Sequence, residues 1–360
     1  MQKHIKPLCF LSLFTVMHYQ EACAGAFSLY TEASAVEIGN FAAGSAAEAP
    51  DASIGWFNPA GLVLLNKTQG VLSGVGVFPS TEISGVSHYF TAGYPSYSQA
   101  FDKLQGAKSD LVPAVHLAYP ISDKAVIGVS LVSPMGESTN WTEDSPVRYA
   151  ATQTKLLTVN AAPEMGVKVT EHVSVGAGLD LQWAQVTFNA ILGAPTVYQE
   201  FGVPNLVDST SINKGTSFGV GFHAGGLVQL NQKHSRIGLN YQSGISHKFY
   251  GYSSLNGKLA DPAVASDPFT ANPYSEYLVN ALNSNNVQFP NIVTLSWYQD
   301  LNNKWAVLGS LVYNGWNSFK TITLNHVAGF SVATEPQQTP VGTTAVEDYR
   351  DAWRLAAGIN

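Results

Sequence analysis

From Thr68 onward the chain alternates apolar and polar residues with a period of two. The clearest run is residues 173–184. Val173, Val175, Ala177, Leu179, Leu181 and Trp183 fall on one side; Ser174, Gly176, Gly178, Asp180, Gln182 and Ala184 fall on the other. Residues 217–230 and 236–241 repeat the pattern. Successive side chains of a strand point to opposite faces, so each run predicts a strand with one apolar and one polar face. Alternation alone leaves open whether the apolar face meets a protein core or lipid.

About ten such strands are predicted, near residues 68–79, 111–120, 125–133, 148–169, 173–188, 215–230, 235–251, 288–299, 305–321 and 346–360. Four links between them are tight and polar: Ser122-Asp123-Lys124, Thr170-Glu171-His172, residues 231–234 and residues 300–304. Long connections at 80–110, 134–147, 189–214, 252–287 and 322–345 alternate with the tight ones. A wall of antiparallel strands with short turns at one end and long loops at the other is the outer-membrane barrel pattern. Tyr119, Tyr241, Tyr250, Trp297, Trp305, Tyr313 and Trp316 lie near strand ends, where interfacial girdles are expected. Residues 25–67 break the alternation: they are rich in Ala, Gly and Ser and contain the turn-like Asn58-Pro59-Ala60-Gly61. A segment so poor in bulky side chains suits a plug inside the wall or a periplasmic linker.

Composition narrows the class. Of 360 residues only 12% are charged, the net charge is −7, and mean hydropathy is +0.04 with 32 glycines. Disordered chains carry more charge and fewer aromatics, and nucleic-acid binders carry a basic excess. Beyond the N-terminus no apolar run approaches the ~20 residues of a membrane helix. At the N-terminus, Lys3 and Lys6 precede an apolar stretch over residues 8–17 and the small-residue site Ala22-Cys23-Ala24. Residues 1–24 therefore read as a signal peptide. Its removal takes Lys3, Lys6 and Glu21, changing the net charge from −7 to −8, and takes both cysteines, Cys9 and Cys23. No thiol chemistry is left to the mature chain.

Catalytic signatures are weak. No G-x-S-x-G nucleophile elbow is expected, H-E-x-x-H and Walker loops are absent, and the nine histidines include no i, i+4 pair that would suggest a metal site. Gly219-Val220-Gly221-Phe222-His223-Ala224 imitates a nucleotide fingerprint but falls inside an alternating strand. No catalytic residue, metal or cofactor is expected. His116, His223 and Ser217 read as polar residues lining a barrel.

The chain resembles the FadL/TodX outer-membrane transporters of long-chain fatty acids and other hydrophobic compounds. The resemblance starts at Phe27-Ser28-Leu29, Glu32 and Ser34 and runs through Gly39, Gly44, Asp51-Ala52-Ser53 and Asn58-Pro59-Ala60-Gly61. It continues through residues 173–179 and 236–241, His247-Lys248-Phe249, Gln288-Phe289-Pro290, residues 315–319 and Asp351-Ala352-Trp353-Arg354, in the family's order. It implies an all-β fold: a 14-stranded transmembrane antiparallel barrel over residues 68–360, plugged by an N-terminal hatch over residues 25–67, in the outer membrane of a Gram-negative bacterium. The implied partners are long-chain fatty acids or other hydrophobic small molecules, outer-membrane lipids and the barrel assembly machinery, with no nucleic acid. The implied function is passive, ligand-gated uptake with lateral opening; uptake of aromatic compounds, or a surface binding protein or adhesin, are the alternatives.

Residue by residue, Asn58, Pro59 and Ala60 match the family's hatch motif, and Phe27 matches the residue that reports ligand to the plug. Asp351 matches an Asp near the ligand pocket, where an Arg-positioning role or a plain periplasm-side strand charge beside Arg350 is expected. The loops over 189–214 and 252–287 would form an outer capture groove. Ser133-Pro134-Met135-Gly136 is the candidate for an inward kink of the third strand, since Pro cannot donate to a ladder and Gly tolerates a bend; an ordinary strand end reads equally well. Ten strands are four short of the family's number and the last residue is Asn360, so a fragment lacking its final strands is expected, with a smaller barrel as the alternative.

Overall fold

The computed structural model describes residues 27–230, 234–332 and 336–360; the expected signal peptide lies outside them. Ten strands make the wall: β1 (Gln69–Val77), β2 (Asp110–Ser122), β3 (Ala125–Val132), β4 (Gln153–Lys168), β5 (Val173–Leu192), β6 (Ser209–Leu230), β7 (Ser235–Gln242), β8 (Ile292–Asn302), β9 (Trp305–Asn314) and β10 (Ala352–Ile359). Each pairs antiparallel with the next, and among the described residues β1 and β10 are the two edges of this path and do not pair with each other. Every alternating run of the sequence carries one of these strands, with β5 and β6 reaching further into the long connections than the periodicity marks.

The long connections are more ordered than expected. Residues 82–105 form a hairpin (Glu82–Tyr89 with Tyr97–Gln105), and the strand Gly136–Asn140 continues along β4. Tyr250–Gly257 pairs with the first half of β6 and with Glu276–Ser284, while Thr321–Ser331 pairs with Gln337–Val346. Register shifts at Ile83/Gly85, Gly251/Ser253 and Leu324/Val327 break the period of these segments, so no clean alternation marked them as strands. All but the hairpin over residues 82–105, which is a sheet of its own, extend the wall's sheet at the end opposite the tight turns.

The faces of the wall settle what alternation leaves open. Leu117, Val129, Met165, Leu179, Val220, Leu239, Leu295 and Leu355 are exposed, whereas Ser130, Asn160, Asp180, His223, Asn240, Thr294 and Ser310 are buried. The sheet is apolar outside and polar inside. A continuous apolar exterior of this size meets hydrocarbon rather than water.

Residues 27–67 form short helical turns, including Ala35–Gly39, Ile54–Phe57 and Pro59–Leu64, linked by loops. This one segment touches the inner face of all ten strands. It meets Val71 of β1, Ala118 of β2 and Val126 of β3 in one apolar cluster, and Ala356 of β10 through Ala43. A Cβ on Gly176 of β5 would lie 2.4 Å from the Pro59 carbonyl carbon, and one on Gly238 of β7 would lie 1.8 Å from the Ala46 oxygen. Glycine at these wall positions lets the plug's backbone approach the strand. The plug itself is small where it turns: Ala42, Ala43, Ala46 and Ala47 are fully buried.

Because the plug lacks a sheet ladder, its backbone groups need side-chain partners, and the polar inner wall supplies them. The Gly44 and Ala46 amides donate to Ser310 Oγ (2.9 Å) and Ser296 Oγ (3.0 Å). Ser174 Oγ donates to the Ala60 carbonyl at 2.8 Å, and His116 Nε2 donates to the Ala33 carbonyl at 2.7 Å.

Candidate functional site

The ladder between β2 and β3 is interrupted. Pairing runs to Val115–Leu131, stops, and resumes in the same register at the isolated bridge Ala107–Thr139. On its other side the third strand carries a bulge: Val132 faces Asn160 and Gly136 faces Leu157, so residues 133–135 oppose only residues 158–159. One extra residue bends the bulged strand and leaves backbone groups free. Pro134 has no N–H to lose there. Thr158 Oγ1 fills the role of the missing ladder partner, accepting from the Met135 amide (3.0 Å) and donating to the Met135 carbonyl (2.6 Å).

The turned-in segment pairs with the start of the plug. Leu29 N donates to the Pro134 carbonyl at 2.8 Å, Gly136 N donates to the Phe27 carbonyl at 3.0 Å, and Ser28 bridges Met135. A cavity of about 600 Å³ occupies the interruption, with Leu111 and Val112 on one side, Met135 on the other, Leu156 behind and Phe27 to Leu29 at its base. Ligand sites run from about 300 to 1,000 Å³, so the space suits a small hydrophobic molecule. Lys108 and Lys155 supply cations at its border.

Phe27 leaves this cavity for an aromatic cage. Its ring lies 4.7 Å from Trp316, 5.2 Å from Phe319, 6.1 Å from Tyr349 and 6.2 Å from Phe289, all edge-on. Such pairs contribute ~0.5–1.5 kcal/mol each beyond the area they bury. A second, smaller cavity of about 50 Å³ remains beside the same ring, among Val186, Phe188 and Phe249. Trp316, expected in an interfacial girdle, is 1% exposed and belongs to this cage. The short helical turn Trp316–Ser318 after β9 carries it inward. Tyr119, Tyr241, Tyr250, Trp297 and Trp305 do face outward.

Asp351 lies just before β10 and accepts from the Tyr313 hydroxyl (3.0 Å) and the Asn317 amide (2.9 Å). These bonds tie the turn that holds Trp316 and Phe319 to the start of β10. Its described partners are thus a tyrosine and a backbone amide, in place of the expected arginine. Ser133 and Pro134 fall on the bulge, and Gly136 forms the pair that follows it, with Leu157.

Asn58, Pro59 and Ala60 lie at the start of the last helical turn of the segment that Phe27 begins. Asn58 is fully buried; Nδ2 donates to the carbonyls of Ala46 (2.7 Å) and Gly226 (3.1 Å), and Oδ1 accepts from the Ala60 amide at 3.1 Å. That last bond caps the turn Pro59–Leu64, whose first residue is the proline favoured at that position. One amide side chain therefore joins two stretches of the plug to β6.

Two buried polar arrangements join His116, His223 and Ser217, which sequence marks singly as barrel-lining residues, to partners it does not mark. Glu164, His223 and Asp180 form a chain across β4, β5 and β6, with His223 Nε2 3.2 Å from Glu164 and Nδ1 3.1 Å from Asp180. Ser130 and His116 continue it from Glu164 to the plug at Ala33. The second is Ser217, which is 3.1 Å from His247 Nδ1, while His247 Nε2 is 2.9 Å from Gln182. Ser217 centres the run Gly215-Thr216-Ser217-Phe218-Gly219, so the G-x-S-x-G spacing is present in the chain although no elbow was expected. The run lies within β6, ladder-paired to β5 on one side. A nucleophile elbow needs a strand-to-helix turn, so the motif is not one.

A family model described as "Outer membrane protein transport protein (OMPP1/FadL/TodX)" matches residues 15–360. The chain belongs to this family of outer-membrane transporters. It is 26% identical over 376 residues to the "Long-chain fatty acid transport protein" of Escherichia coli O6:H1, covering 99% of this chain and 78% of that one. Among solved structures it is similar to a Pseudomonas aeruginosa FadL homologue, with a TM-score of 0.66 and 21% identity over 89% of this chain and 74% of the other. It also resembles the "CymD monoaromatic hydrocarbon channel", with a TM-score of 0.58 and 17% identity over 87% and 76% of the two chains. Family membership and these likenesses make the wall that of an outer-membrane β-barrel.

Proposed function

We propose that the protein takes up long-chain fatty acids passively, through the cavity at the β2–β3 interruption, with Phe27 as the element that senses the ligand. The observation that carries this reading is the continuity from that cavity, by way of residues 27–29, to the aromatic cage. An acyl tail gains ~0.8 kcal/mol for each CH₂ it removes from water, so an apolar cavity suffices to draw it in. Its carboxylate needs a cation, and Lys108 and Lys155 border the same space. A tail that competes with the Phe27 ring for the cage would release residues 27–29 from Pro134 and Gly136, linking occupancy to the seating of the plug. Fatty-acid transport is also what the E. coli relative is named for.

A second substrate class, aromatic hydrocarbons, is favoured by one observation: the cage is built of rings that would stack on a ring. Uptake of radiolabelled oleate and of toluene into cells expressing the full-length gene separates the two. Phe27→Ala removes four ring contacts and is expected to change the uptake rate several-fold while leaving barrel assembly intact. Oleate uptake at the wild-type rate in Phe27→Ala would remove Phe27 from the mechanism, and faster uptake of toluene than oleate would select the second class.

A further inference from the structure

The outer surface of the wall carries a basic and aromatic patch where the apolar belt ends. One hydrogen-bonding row runs outward-facing from Lys155 on β4 through Thr187 on β5 and Lys214 on β6 to Tyr252. The next row on β6 toward the tight turns places Thr216 beside Gln185 and Tyr250. Beyond it come the exposed Phe218, Val220 and Phe222. Lys248 starts level with this belt, but its Nζ reaches back over the Tyr250 ring, 5.5 Å from the centroid. A lysine near hydrocarbon bends its stem toward the polar layer, and this geometry shows that bend.

Charge balance makes the patch distinctive. Among the described residues Lys155, Lys214 and Lys248 join no ion pair. Of the carboxylates around the patch, Glu137 pairs with Leu156 and lines the same cavity as Lys155, while Glu143 on Thr210 and Glu276 on Ser254 lie further toward the loop tips, away from Lys214 and Lys248. Two strand spacings put the Lys155 and Lys214 backbones about 10 Å apart. Lysines just above a lipid-facing belt attract anionic headgroups, and tyrosines anchor at the same level.

We propose that this patch is a seat for the phosphorylated headgroup of an outer-leaflet lipid. Lys214 and Lys248 contact the phosphate, Tyr250 and Tyr252 flank the sugar or glycerol, and the acyl chains lie on Phe218 and Val220. Thr187 and Thr216 supply hydroxyl donors within the patch. Lys155 extends it toward the cavity opening, which places a bound lipid beside the lateral interruption.

The test uses full-length protein in neutral phosphatidylcholine vesicles doped with lipid A or with its phosphate-free counterpart. Bound lipid is measured by mass spectrometry after repurification. Wild type is expected to retain the phosphorylated lipid, and the double variant Lys214→Gln, Lys248→Gln to lose affinity roughly thirtyfold. Lys214→Arg, Lys248→Arg is expected to restore retention, which separates loss of charge from misfolding. Equal retention by the Gln variant, or equal retention of the phosphate-free lipid by wild type, would overturn the assignment. Displacement by inorganic phosphate at the lipid's own concentration would also overturn it, since the site would then not read a lipid.

Discussion

Glu37 shows how much a single plug residue is shaped by its surroundings. It lies on the turn Ala35–Gly39, is 1% exposed, and one of its carboxylate oxygens has no partner among the described residues. Burial pushes its carboxyl up to about 8; Glu48 and Asp51 add to the rise and Arg354 opposes it. The folded protein therefore holds a proton that the unfolded chain releases above the usual 4.5. This contribution is fully present below that value and is lost as pH rises toward about 8. Resistance of the plug to protease, followed across that window, is expected to fall in wild type and to stay flatter in Glu37→Gln; parallel slopes would show that another group governs it. Asn58 is the second residue to probe. Asn58→Ala strips one donor pair and one cap from buried partners, an expected loss of roughly 2–3 kcal/mol, read as a lower unfolding midpoint. Asn58 was visible in the sequence as part of a turn, but nothing in the chain showed that its amide would bond to Gly226, 168 positions away.

At the scale of elements, the bulge on the third strand organises the site. Deleting Pro134 removes the one residue by which residues 133–135 exceed their partners, so the strand is expected to zip along β4 and toward β2. Uptake should then drop sharply while heat-modifiable mobility of the folded barrel is retained. Wild-type uptake by the deletion variant would mean that the interruption is not the route. Sequence marked this place by its Pro and Gly, because both have positional meaning in a strand. It could not show that the plug's own residues 27–29 would take up the freed backbone groups. The loop hairpins were hidden for a related reason: a strand that carries a register shift part-way along leaves no continuous periodic trace.

For the molecule as a whole, the inverted faces dictate where charge is tolerated. Val220→Arg, on the lipid side, is expected to destabilise the barrel in bilayers by ~2–4 kcal/mol near mid-depth. It would be measured as a shift in the urea midpoint of reversible folding into vesicles. A shift near zero would mean that this face does not meet the membrane core. The Gly and Ala excess also belongs to this scale, since wall glycines such as Gly176 and Gly238 exist to admit the plug's backbone.

The sequence by itself determined the strand periods, the alternation of short and long connections, the small-residue plug and the family motifs, because each is a local pattern of residue type. Only the tertiary structure decided that the apolar faces point outward, that Trp316 and Phe319 turn in to meet Phe27, and that Asp351 holds their turn. It also decided that lysines from separate segments share one outer patch. All of these depend on which strands become neighbours and in what register. A chain with period two carries the same alternation whether it wraps a core or is wrapped by lipid, and only the packing of the wall's polar face against residues 27–67 chooses between them.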